Sequence, residues 1–256
     1  MGLNTNQHMS DSFASPYPNS IAVVPARMAS TRLPGKMMAD LGGKPLIVRT
    51  WEACCTTGLF DRVIVATDHP DIQGVVEAAG GEVMLTDPGH ASGSDRLAEV
   101  AARVEAEVYV NVQGDEPFVT RAGLEPLLRL FMDSDVRVGS LMCPIHSPEV
   151  YLSPAVVKVV CNHAGDAMYF SRAPIPFARD GGMPTEVYRH MGVYAFRRDA
   201  LLAFHQLAPS TAEQAEMLEQ LRLLYWGYSI RMACVDQPEA GIDTPDDLIR
   251  ARLRFV

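Results

Sequence analysis

The 256-residue sequence predicts an α/β protein: a mixed, mostly parallel central sheet flanked by helices, with a smaller, more antiparallel subregion after Ser140. Three observations predict it. Short β-branched runs alternate with amphipathic stretches of helical length between residues 21 and 112, the order that parallel strands with crossover helices require. Gly- and Pro-rich turns separate most of these segments. After Ser140 the runs shorten and the alternation loosens.

The elements follow in order. Residues 1–19 are polar, rich in Ser, Asn and Pro, and lack the positive start and apolar stretch of a signal peptide. They read as a disordered extension or a remnant of cloning, and residues 20–256 as a single domain. Ile21-Ala22-Val23-Val24 is a first strand closed by Pro25. A polar loop runs to Lys36, and Pro45 to Thr57 is a helix with Pro at its start. Val63–Ala66 is a second strand and Pro70–Ala79 a second helix, stopped by Gly80-Gly81. Glu82–Leu85 is a third strand, Ser94–Val104 a helix, and Val108–Val112 a fourth strand. Right-handed crossovers gather the loops after these strands at one sheet edge, where such sheets bind ligands. Val156–Val160 and Ala167–Phe170 are strands of the looser subregion. Tyr194–Phe196 is a strand, Glu213–Tyr225 a single helix, and Ile230–Val235 a strand. Thr244-Pro245-Asp246-Asp247 opens the last helix, with Thr as N-cap and acids at its positive end.

Composition narrows the function. Lys plus Arg number 22 and Asp plus Glu 31, a net charge of −9, so the basic footprint of a nucleic-acid binder is missing. No apolar run approaches the ~20 residues of a membrane span. The five cysteines are odd in number and contain no C-x-x-C pair, which points to reduced thiols in a cytoplasmic protein.

Chemistry concentrates in five places. The loop after the first strand, Pro25-Ala26-Arg27-Met28-Ala29-Ser30-Thr31-Arg32-Leu33-Pro34-Gly35-Lys36, holds three cations among hydroxyls and glycine. Backbone N–H groups and Arg forks there suit phosphate oxygens; the alternative is a solvated basic turn. It is neither a P-loop nor a G-x-G-x-x-G fingerprint. Gln113-Gly114-Asp115-Glu116-Pro117 follows the fourth strand, and its Asp115 suits a hard cation such as Mg²⁺, unless it is an ordinary acidic turn. Asp243 is either a second metal ligand or part of the last helix's cap. Ser92 and Gly93 precede a helix start that favours an anion or a base edge, with Arg96 one turn in; a plain N-cap is the alternative. Arg172, Arg189, His190, Tyr194, Glu213, Glu216 and Gln220 are polar residues of the second half, the last three on one face of the helix read over Glu213–Tyr225.

At these residues the sequence resembles the cytidylyltransferases that activate 3-deoxy-D-manno-octulosonate (Kdo). The likeness is carried in order by P-A-R-M-A-S-T-R-L-P-G-K (25–36), G-G-K-P-L (42–46), V-A-T-D (65–68), S-G-S-D-R-L-A-E-V (92–100), V-N-V-Q-G-D-E-P (110–117), V-K-V-V (157–160), Y-F-S-R-A-P-I-P (169–176), R-H-M-G-V-Y (189–194) and D-T-P-D-D-L (243–248).

The resemblance implies a Rossmann-like nucleotidyltransferase fold that uses CTP, Kdo and Mg²⁺ and forms a homodimer. It divides the chain into a nucleotide-binding part near 20–140, a sugar-binding and dimerisation part near 141–235, and a C-terminal part, 236–256, with a metal ligand and helix. By position Arg27, Arg32 and Lys36 hold the triphosphate, with Ser30 and Thr31 in the same loop. Ser92, Gly93, Arg96 and Gln113 place the nucleotide, and main chain at Ala26 and Thr67 reads cytosine. Asp115 and Asp243 match the magnesium ligands. Arg172, His190, Tyr194, Glu213, Glu216 and Gln220 match the sugar-binding region. The catalytic set is then Arg27, Lys36, Asp115 and Asp243. Met37 and Met38 replace the family's usual Pro-Leu, and the connection over 178–187 is short. Glu116 resembles enzymes acting on Kdo, whereas relatives acting on an 8-amino analogue carry Gln there. A glycosyltransferase would need a D-x-D motif after the fourth strand, which Gln113-Gly114-Asp115-Glu116 does not supply. A non-catalytic nucleotide binder would have lost Asp115, Asp243 or Lys36, and a sialic-acid cytidylyltransferase differs in the first loop.

Overall fold

A computed structural model describes residues 16–29, 33–90, 92–236 and 241–255. The main sheet has the strand order β3-β2-β1-β4-β8-β5-β9. These strands are β1 (Ser20–Ala26), β2 (Arg62–Thr67), β3 (Glu82–Leu85), β4 (Val108–Asn111), β5 (Val138–Pro144), β8 (Tyr188–Arg197) and β9 (Arg231–Cys234). Six of these seven run one way, and β8 alone is reversed, pairing antiparallel with both β4 and β5. The hairpin β6 (Lys158–Cys161) and β7 (Ala167–Ser171) joins through β6 to the start of β8, forming the antiparallel subregion.

Strand β1 is buried throughout and shows why the sheet is covered twice. Val24 and Ala26 face one apolar cluster with Ile47 and Val48 of α1 (Leu46–Thr56), Ile72 and Val76 of α2 (Pro70–Ala78), and Leu124, Leu127 and Leu128 of α4 (Arg121–Leu130). Ile21 and Val23 face the other, with Leu97 and Val100 of α3 (Gly93–Arg103) and Leu201 and Phe204 of α6 (Arg198–Gln206). A short helix α5 (Pro148–Leu152) precedes β6.

Three features correct or extend the sequence reading. The single helix expected over Glu213–Tyr225 is two helices, α7 (Thr211–Glu216) and α8 (Gln220–Tyr225). Met217 between them is left-handed at φ 53, which ends the first helix and turns Glu213, Glu216 and Gln220 away from a common face. Strand β5 and helices α4 and α6 were not read from sequence. Residues 16–19, assigned to the extension, are packed: Tyr17 is buried in the core, and its hydroxyl donates to Glu125 Oε1 at 2.6 Å. Residues 1–15 lie outside the described residues.

Candidate active site

The loops that leave β1, β3, β4 and β9 emerge at one sheet edge and line a cleft of about 250 Å³. Its lining includes Ala26, Arg27, Lys36, Ser92, Gly93, Arg96, Gln113, Asp115 and Asp243. The first-loop, Q-G-D-E and D-T-P motifs, far apart in the chain, therefore meet. Ser30, Thr31 and Arg32 lie outside the described residues. Thr67 does not line the cleft; it is fully buried at the end of β2, in register with Ala26.

Lys36 is at the centre. It opens a 3-10 turn, Lys36–Met38, behind Gly35, whose φ of 67 suits glycine. Its ammonium donates to Asp115 Oδ2 at 2.5 Å and to Asp243 Oδ1 at 3.1 Å. Two like charges separated by 127 intervening residues thus share one cation. Main chain fixes this arrangement. The Thr50 hydroxyl, buried in α1, donates to Gly114 O at 2.8 Å, and Ile242 N–H donates to Asp115 O at 2.9 Å. Gly114 has no room for a Cβ, which would meet Pro25 O at 2.9 Å. Asp243 immediately precedes the capping box of α9 (Pro245–Arg252), in which Thr244 and Asp247 bond reciprocally. The cap reading of Asp243's neighbours and the convergence of Asp243 on Lys36 are both realised.

Ser92 is likewise a true N-cap, in a capping box with Asp95 at the start of α3. Arg96 is 4% exposed; its guanidinium donates to Thr86 Oγ1 at 2.6 Å and forms an ion pair with Asp68 Oδ1 at 3.2 Å. His90, which the sequence pattern does not single out, lines the cleft and lies 2.5 Å from Glu99. Burial pushes the Glu99 carboxyl up, but the Asp87 N–H, His90 and Arg103 outweigh it and hold the group below its ordinary range.

The second-half residues gather apart from the cleft lining. Glu216 accepts from Ser171 Oγ at 2.5 Å and Arg172 N at 2.9 Å. Arg172 Nε donates back to Glu216 O at 2.9 Å. Glu213 is occupied by its own capping box and by Arg222, and Gln220 is buried in α8. Lys158, within the V-K-V-V segment, is fully buried. It donates to the carbonyls of Ser153, Val156 and Arg172, so it holds the Arg172 main chain. Tyr194 is the cross-strand partner of Asn111, and each has a buried side-chain oxygen without a hydrogen-bond partner among the described residues.

His190 Nε2 lies 3.0 Å from Ser140 Oγ, and burial, aided by Arg189, lowers its pKa to about 3. The folded protein then refuses a proton that the unfolded chain accepts near the ordinary value of 6.5. Stability is complete above that value and falls as pH drops from it towards about 3. Replacing His190 with Gln is expected to flatten the fall in Tm across this window; an unchanged slope would assign the acid sensitivity to another group.

A family profile described as cytidylyltransferase matches residues 21–230. The 3-deoxy-manno-octulosonate cytidylyltransferase of Geobacter metallireducens is 46% identical over 238 residues, covering 89% of this chain and 94% of that one. The chain belongs to the 3-deoxy-manno-octulosonate cytidylyltransferase family. The cytidylyltransferase of the same description from Chlorobium limicola is 45% identical over 242 residues, covering 92% and 98% of the two chains. A solved CMP:2-keto-3-deoxy-manno-octonic acid synthetase complexed with CTP superposes with a TM-score of 0.87 at 42% identity, covering 92% of this chain and 98% of that chain. The sheet with its flanking helices is thus the Rossmann-like nucleotidyltransferase fold of this cytidylyltransferase family. A 4-diphosphocytidyl-2C-methyl-D-erythritol synthase from Anaerococcus prevotii, 13% identical with a TM-score of 0.60, shares the fold alone. No helix among the described residues is long and apolar enough to cross a membrane, and all five cysteines are free.

Proposed function

We propose that the protein transfers CMP from CTP to the anomeric hydroxyl of Kdo and releases pyrophosphate, the activation step that precedes lipopolysaccharide assembly. The observation that carries this reading is the convergence of Lys36, Asp115 and Asp243 at the mouth of a cleft walled by the Ser92–Gly93 helix start.

Each group has a part. Arg27, exposed at the cleft, and Lys36 neutralise charge on the triphosphate and on the departing pyrophosphate. The α3 N-terminus, with Ser92 and Gly93, favours the negative nucleotide. Ala26 main chain, with Thr67 behind it, borders the base. Gln113 and the Arg96–Asp68–Thr86 group shape the wall. The cluster of Arg172, His190, Tyr194, Glu213, Glu216 and Gln220 receives the sugar. The hydroxyl attacks the α-phosphorus in line, and no protein nucleophile is needed because transfer of this kind rests on positioning and charge neutralisation.

Two carboxylates aimed at one cation from separate segments fit Mg²⁺, which takes one or two carboxylates and completes its shell with phosphate oxygens and water. When bound, the ion supplies further charge neutralisation at the α-phosphate and acidifies the attacking hydroxyl. Lys36 Nζ lies within hydrogen-bond reach of both acids, so Asp115 and Asp243 would hold the ion in place of the ammonium they now share.

The same reading places the enzyme in the cytoplasm, where CTP is made, and divides it into the nucleotide part 20–140, the sugar part 141–235 and the C-terminal part 236–256. It includes a homodimer. Edge strand β7, paired only with β6, presents Met168 and Tyr169 at 63% and 40% exposure, an apolar edge suited to a second copy. Sedimentation as a single-chain species would overturn the dimer. The reaction is tested by following pyrophosphate with CTP, Mg²⁺ and a panel of Kdo, its 8-amino analogue and sialic acid, and with UTP, ATP and GTP in place of CTP. Release only with CTP and Kdo is expected. Release with the 8-amino sugar alone would reassign the substrate, and none with any sugar would overturn the activity.

A further inference from the structure

The segment Gly42–Leu46, the C-terminal residues Arg252–Phe255 and Phe118 have no part in the chemistry above, yet they meet beside it. Phe118 follows Asp115 by three residues and its ring stacks on Phe255, with centroids 5.9 Å apart and planes at 26°. Each ring also carries a guanidinium: Arg254 lies 3.7 Å from the centre of Phe118, and Arg49 lies 4.4 Å from that of Phe255. Gly42 is required twice over, because its φ is 63 and a Cβ there would lie 2.5 Å from Phe255 Cβ. Arg252 Nε donates to Asp40 O at 3.0 Å, and Arg49 Nε donates to Leu41 O at 2.8 Å. Beneath lies an apolar cluster of Leu41, Leu46, Ile242, Leu248 and Ala251, with Phe118 against it.

These contacts bind three segments. One carries Lys36 and continues into Asp40–Gly43. Another carries Asp115 and continues into Phe118. The third carries Asp243 and continues through α9 into Phe255. Two carboxylates at the mouth of a cleft repel each other. They stay within one cation's reach only if their backbones are fixed; the Ile242–Asp115 bond does this beside the acids, and the contacts above brace the far ends of the same segments.

The geometry points to the C-terminal turn Leu253–Phe255, docked on Phe118 and Gly42, as a positioning element that sets the separation of Asp115 and Asp243 and with it the site's affinity for a divalent cation. It rests on the reading of those acids as the cation site. Supporting residues behind a metal site typically change its affinity by about 10- to 100-fold when removed.

The test uses full-length protein and the replacements Phe255→Ala, Phe255→Tyr and Arg254→Gln. Mn²⁺ binding is measured by electron paramagnetic resonance with CTP present, and CTP binding by calorimetry in EDTA. Phe255→Ala is expected to weaken Mn²⁺ binding about 10-fold, with metal-free CTP affinity within about 2-fold of wild type and Phe255→Tyr restoring the ion. Arg254→Gln, a change at the exposed end of the stack, is expected to weaken Mn²⁺ in the same direction and guards against misfolding of the alanine variant. Equal Mn²⁺ affinity in wild type, Phe255→Ala and Arg254→Gln overturns the inference, as does a parallel loss of Mn²⁺ and metal-free CTP binding. Wild-type protein that binds no Mn²⁺ also overturns it. Wild-type protein that binds Mn²⁺ and CTP but releases no pyrophosphate with Kdo overturns the proposed reaction and leaves the positioning role to be decided by the same variants.

Discussion

Replacing Lys36 with Met is expected to lower kcat/KM by about 30- to 1,000-fold, the ~2–4 kcal/mol that loss of one preorganised charge-stabilising donor costs. The structure adds a second signature. Lys36 is almost fully enclosed, and its ammonium is held by both Asp115 and Asp243. Met fills the same volume but removes the ammonium that bridges the two carboxylates. Mg²⁺ alone, without nucleotide, is therefore expected to raise the Tm of Lys36→Met more than that of wild type, because in wild type the ion must first displace the ammonium. Unchanged kcat/KM would remove Lys36 from the phosphate side, and equal Tm responses would separate the ammonium from the ion's position.

Replacing Asp115 with Ala is expected to reduce pyrophosphate release by at least about 1,000-fold, from the several kcal/mol that a metal-held charge supplies at a phosphoryl centre. The fold is expected to survive. Thr50 holds Gly114 O, and Ile242 N–H holds the carbonyl of Asp115 itself. Neither bond uses the carboxylate, so the loop keeps its path when the side chain is removed. Circular dichroism and Tm check the fold, and a variant with near-normal turnover would refute the metal role of Asp115.

The parallel half of the fold was legible because β1 and β4 are buried throughout and, like β2, read as short β-branched runs, while Gly80-Gly81 marks the start of β3. Strand β5 was hidden by its composition: V-G-S-L-M-C-P carries Gly, Ser and Pro. Helix α4 was masked by Gly123 and Pro126, although Leu124, Leu127 and Leu128 have the spacing of a buried face. Helix α6 starts where β8 ends, with no turn residue between them. The break at Met217 had no local warning, since a left-handed non-glycine residue is imposed by surroundings rather than by its own preference. In the site, the charged loops were readable from their place after strands. The grip of Thr50 on Gly114 and the hold of Lys158 on the Arg172 main chain were not, because a buried hydroxyl or ammonium bonding to distant main chain leaves no spacing pattern. Asp68 closes the V-A-T-D segment and His90 lies two residues before Ser92, and only three-dimensional proximity separates them from their neighbours.

The reversed strand β8 has one further consequence. Residues Tyr194–Arg197 pair with β4, Tyr188–Met191 and Tyr194–Phe196 pair with β5, and Tyr188 and Arg189 also pair with β6. One strand thus joins the sheet beneath the cleft to the hairpin that leads to Arg172. The sheet beneath the cleft and the hairpin are therefore one hydrogen-bonded surface, and the break in its register falls at Gly192 and Val193, where the pairing of β8 with β5 jumps from Tyr194 to Met191.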